Sequence, residues 1–140
     1  MGLLGRIKRL SAHLSREMEK TFATHGLNLA SFDVLATLRR AGPPHRLSPG
    51  DLLATTMVTS GTMTHRLDQL ERAGLVERLR NPEDGRSVLV ALSRKGLDVI
   101  EAAVTDHVAT QDRLVAGLSQ DDFAKLDRLL KTYLSDFEKD

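Results

Sequence analysis

The sequence predicts a mainly α-helical protein with one small β-hairpin set between its helices. Three observations carry this. Apolar residues recur at spacings of three and four over long stretches near both ends of the 140-residue chain. Capping residues and glycines divide those stretches at helix-length intervals. One stretch, "LVERLRNPEDGRSVLVAL", instead sets two β-prone runs about an Asp-Gly turn.

In chain order, Ile7, Leu10, Leu14, Met18 and Phe22 define an amphipathic helix over residues 3–24 that closes near Gly26. Asn28 caps a second helix carrying Phe32, Leu35 and Leu38, which "AGPP" stops because neither proline extends a helix. In "SPGDLLATT" Ser48 caps a short third helix, Pro49 takes its first position, and Asp51 is expected to complete a capping box. A fourth helix starts at Thr59 and ends at Gly74. At about 100° per residue, Met63, Leu67 and Leu70 form its anchored side. Gly61, His65, Asp68 and Arg72 lie opposite, flanked by Thr62, Thr64 and Gln69.

Pro82 ends the first strand of the hairpin and Asp84-Gly85 makes its turn, with Arg86 on the return. A fifth helix starts near Ser93, carries Leu97, Ile100 and Val104, and runs toward Leu118. Ser119 and Asp122 then form a second capping box before a last helix marked by Phe123, Leu126, Leu130, Leu134 and Phe137. The three long helices present more apolar stripe than the small central unit covers, which points to a dimer. The expected division is 1–27 for an N-terminal dimerisation helix, 28–96 for the central unit and 97–140 for C-terminal dimerisation helices.

Composition excludes several functions. The 41% hydrophobic and 28% charged content is that of a chain that folds. No cysteine is present, so disulfides, thiolate metal sites and thiol switches are ruled out. His13, His25, His45, His65 and His107 include no helical pair with a third ligand nearby, and no nucleophile elbow, phosphate loop or dinucleotide motif occurs. The chain is therefore expected to be no enzyme and to need no metal or cofactor. Without a membrane-length apolar run or signal-peptide core, a cytoplasmic location is expected. Met57 and Met63 are read as core rather than as oxidation sites. Net charge is only +1, yet residues 1–97 hold 15 basic and 9 acidic side chains against 5 and 10 in residues 98–140. A polyanion would therefore meet the first part and not the second.

Helices two to four followed at once by the hairpin read as a winged helix-turn-helix, in which the fourth helix enters the DNA major groove. Gly61 lets a phosphate approach free N–H groups at the helix start, and Thr64, His65 and Gln69 have donors that reach base edges. Ser60 and Thr62 complete that candidate set. Arg86 suits a narrow minor groove, with Asp84 expected to pair with it. The alternative is a helical dimer whose winged helix binds a protein partner. The low aromatic content, 4%, speaks against it, because protein-binding faces favour exposed aromatics.

The motifs "LDQLERAGLVER" and "NPEDGRSVLVALSRKG", with "FDVLATLRRAG" and "LSPGDLLATTMVTSGTMTHR" before them, resemble those of MarR-family transcriptional regulators over essentially the whole chain. The resemblance implies a homodimer with interlocked terminal helices that binds a near-palindromic operator as a repressor and is released by a small organic ligand. Asp33, Arg66 and Arg78 resemble the acidic residue and two arginines that engage an anion in the urate-responsive, PecS-like branch. That branch adds a tryptophan that touches the ligand. This sequence has no Trp, which disfavours urate itself, and the expected effector is a small anion that is urate-like or an aromatic or carboxylic acid. The other reading of the trio is an ion-pair network tying wing to core.

Overall fold

The computed structural model describes residues 2–138, and among them are six helices and three strands. They are α1 (Leu3–Ala23), α2 (Leu29–Arg40), β1 (Arg46–Leu47), α3 (Pro49–Thr55), α4 (Ser60–Arg72), β2 (Val76–Arg80), β3 (Val88–Leu92), α5 (Arg94–Leu114) and α6 (Gln120–Leu134).

The helix starts follow the expected caps. Asn28 accepts from the Ser31 backbone N–H and the Ser31 hydroxyl answers at the Asn28 N–H, a full capping box. Ser48 accepts from the Asp51 N–H at 3.0 Å and Ser119 from the Asp122 N–H at 3.1 Å. Among the described residues no bond returns from either aspartate, so these two boxes are half-formed. Their side chains are one methylene shorter than the Glu or Gln that normally closes the box.

At the end of α4, Gly74 adopts φ +77°, the Leu75 N–H reaches the Leu70 carbonyl at 2.9 Å, and the Gly74 N–H reaches that of Glu71 at 3.0 Å. This Schellman closure reverses the chain, so that β2 runs back along α4.

The sheet has one more strand than the sequence suggested. Its order is β1-β3-β2, antiparallel throughout, with Arg46 opposite Ala91 and Arg78 opposite Val90. A two-residue strand is too short to show alternation, and β1 is defined only by its pairing with β3.

Phe22, Val34, Leu35, Leu38, Leu52, Val76, Val90 and Ile100 are fully buried, each contributing about 1.5–3 kcal/mol of hydrophobic stabilisation. They come from the end of α1, from α2, α3 and the sheet, and from the first half of α5. Gly96 allows the start of α5 to approach the sheet, since a Cβ there would lie 1.9 Å from the Leu75 carbonyl oxygen. By contrast, α6 buries none of its residues, and its Phe123, Leu129, Leu130 and Leu134 are exposed along with Leu3, Leu4 and Leu10 of α1. No helix among the described residues is long and apolar enough to cross a membrane.

Candidate nucleic-acid interface

Met63, Leu67 and Leu70 are buried and seat α4 on the core, so the opposite side faces solvent. Ser60, Gly61, Thr62, Thr64, His65 and Gln69 are all exposed there. Thr59 caps the helix by accepting from the Thr62 N–H. A Cβ on Gly61 would meet nothing within 4 Å, so the protein's own packing does not require glycine there. Among the described residues, three members of the polar face have intramolecular side-chain partners, the first being Thr62, whose hydroxyl accepts from that of Thr59 at 3.0 Å. Gln69 accepts from Arg66 Nη1 at 2.6 Å, which occupies one of the two lone pairs of its amide oxygen. Asp68 is committed to the wing.

The wing is β2, β3 and the loop between them. Asn81 and Ser87 close the loop, the Asn81 N–H donating to the Ser87 carbonyl at 3.1 Å. The expected Asp84–Arg86 ion pair does not form. Asp84 Oδ1 instead accepts from the Arg86 backbone N–H at 3.0 Å, because so short a carboxylate folds back onto its own turn. The Arg86 side chain is left exposed and, among the described residues, without a carboxylate partner.

Asp33, Arg66 and Arg78 do not converge. Asp33 Oδ2 accepts from the Met57 N–H at 2.9 Å and so ties α2 to the turn before α4. Arg66 borders a 380 Å³ pocket with Gly26, Asn28, Ser31 and Gln69, and its Nε is buried without an acceptor. On β2, Arg78 donates to Asp68 at 2.7 Å and to Glu71 at 3.0 Å. The Arg78 hydrogen bond holds the Asp68 carboxyl below its usual range, and Asp68 in turn raises Arg78. The three residues line three separate pockets. Spacing alone does not reveal this, because each side chain is drawn to a nearer partner. Met57, read as core, is 95% exposed at the turn, whereas Met63 is 2% exposed. The tether from Arg78 to two successive turns of α4 was also missed, although alternation along "VERLR" places Arg78 and Arg80 on one strand face.

A helix-turn-helix with an exposed polar recognition helix and an exposed arginine on the following wing defines a DNA-binding transcriptional regulator. The family model described as "MarR family" matches residues 25–87. The HTH-type transcriptional regulator PecS of Dickeya dadantii is 35% identical over 130 residues, covering 93% of this chain and 78% of that protein. The multiple antibiotic resistance protein MarR of Escherichia coli is 33% identical, covering 94% and 90%. A crystal structure of a mutant E. coli MarR complexed with operator DNA superposes with a TM-score of 0.81 at 32% identity, covering 94% and 93% of the two chains. The chain belongs to the MarR family, a family of transcriptional regulators and not of enzymes.

Proposed function

We propose that the protein is a repressor that binds a pseudo-palindromic operator as a homodimer and is released by a small anionic organic ligand. The observation that carries the DNA half is the exposed polar face of α4 followed by a wing whose Arg86 is exposed and meets no carboxylate among the described residues. In this reading Thr64, His65 and Gln69 meet base edges, Ser60, Gly61 and Thr62 meet phosphate at the helix start, and Arg86 enters the minor groove. Support for the homodimer comes from α6, none of whose apolar side chains is buried among the described residues. Residues 1–27 and 97–140 then form the dimer body and residues 28–96 the DNA-binding unit.

The anion is assigned to the pocket beside Arg66, whose buried Nε has no acceptor. A carboxylate taken up there acts on the helix that carries His65 and Gln69, and it lowers operator affinity only if it binds the DNA-incompetent arrangement more tightly. Arg78 holds the wing against α4 and Asp33 holds the turn before it, and neither meets the anion in this reading. The test is fluorescence anisotropy on the DNA upstream of the protein's own gene, with and without urate, salicylate and citrate. Salt-sensitive binding at one dimer per site, reversed by one of these anions, supports the whole reading. Binding that no anion disturbs removes the effector half.

A further inference from the structure

The wing carries a third arginine that the base-reading and minor-groove assignments leave unused. Arg78, Arg80 and Arg86 line one cleft of 320 Å³ together with Ser87 and Val88, and among the described residues no acidic side chain lines it. Of the three, only Arg78 is neutralised, by Asp68 and Glu71. Among the described residues, Arg80 and Arg86 meet no carboxylate, and both are exposed. Two uncompensated guanidinium groups on one small cleft repel each other, and an anion between them relieves that repulsion.

The position of the cleft says which anion. Val76, Arg78 and Arg80 stand on one face of β2, with Val76 buried and Arg78 held by α4. Arg80 lies about 7 Å beyond Arg78 on that face. Arg78 reaches across to Glu71 and Asp68 of α4, so the cleft lies on the strand that packs beside the recognition helix. The stem of Arg80 passes Gly85, where an added Cβ would lie 3.8 Å from its Cδ, and so reaches the same loop that holds Arg86. We propose that this cleft holds a backbone phosphate of the bound duplex and that Arg80 is its principal cation. The proposal rests on the wing facing DNA. In it Arg80 anchors the strand whose groove Arg86 enters, and it contributes affinity without sequence preference.

The test is anisotropy across a salt series on operator and on a scrambled duplex, with wild type, Arg80→Ala, Arg80→Lys and Arg86→Ala. Circular dichroism confirms the fold of each variant. Each lost phosphate contact lowers the slope of log K against log [salt] by about 0.9, so two wings lose about 1.8, or about 60-fold in affinity at ~0.1 M relative to ~1 M salt. Arg80→Ala is expected to show this loss equally on both duplexes, and Arg80→Lys to restore the slope. An unchanged slope in Arg80→Ala overturns the assignment, as does a loss confined to the operator. Arg86→Ala distinguishes the failures: if it still weakens binding, the wing reading survives and only the phosphate cleft is lost.

Discussion

Replacing Gly96 with alanine tests how α5 is joined to the DNA-binding unit. The added Cβ would sit 1.9 Å from the Leu75 carbonyl oxygen and 2.9 Å from its carbon, both backbone atoms. No side-chain rotation relieves that contact. The start of α5 or the chain entering β2 must retreat by more than 1 Å to reach the 3.0 Å below which real Cβ contacts essentially never occur. The same carbonyl accepts the Ser93 N–H at 3.1 Å, and Ser93 caps α5 by accepting from the Gly96 N–H at 2.9 Å. The retreat therefore strains a cap as well as a packing contact. Overpacking of this kind costs typically about 1–3 kcal/mol, and loss of the cap adds about 1 kcal/mol. For a chain of this size, a loss of about 2–4 kcal/mol corresponds to a fall in Tm on the order of 10 °C. Thermal unfolding followed by circular dichroism at one fixed protein concentration measures it, because the Tm of any self-associating chain depends on concentration. A Tm within about 2 °C of wild type, less than the shift for 1 kcal/mol, would refute the close-approach reasoning.

Arg86→Ala is expected to weaken operator binding roughly tenfold or more, the effect of losing about 1–3 kcal/mol of arginine contact, while sedimentation shows an unchanged oligomer; wild-type affinity would take the wing tip out of the interface. Arg66→Ala is expected to blunt the release of operator by an anionic effector, whereas Arg78→Ala, whose guanidinium is already committed to Asp68 and Glu71, keeps the release; anisotropy titrations with the effector decide between them. His107 packs against Phe22 and Phe32 with its Nδ1 buried and unpartnered, and burial lowers its pKa from the ordinary 6.5. The native state therefore binds fewer protons than the unfolded chain once the pH falls below 6.5, so stability is complete above that value and declines toward acid until the native imidazole also protonates. Melting curves between about pH 5 and 8 are expected to lose this acid-side decline in His107→Phe, and an identical pH profile in that variant would remove His107 as its cause.

Much of the fold was legible because helix periodicity and capping are local. Leu35, Leu38, Leu67 and Leu70 lie in the core where their spacing placed them, and the hairpin follows its Asp-Gly turn. Strand β1 was not legible, since two residues carry no pattern until β3 pairs with them. In the candidate site, the exposed face of α4 was readable as the complement of its apolar stripe. The partners of its charges were not. Arg78 lies seven and ten residues from Glu71 and Asp68, and Asp33 lies 24 residues from the Met57 N–H it accepts.

By itself, the sequence determined the helices, their order, the hairpin after the recognition helix and the polar side of α4, because each depends on neighbours within a few residues. Only the tertiary structure decided which charges are neutralised and which stay free. Arg78 is tethered to two carboxylates, while among the described residues Arg80 and Arg86 on the same cleft meet none. The physical reason is the short range of ion pairing and hydrogen bonding: which of several oppositely charged groups comes within 3 Å is settled by how distant segments pack, and no local pattern encodes that distance.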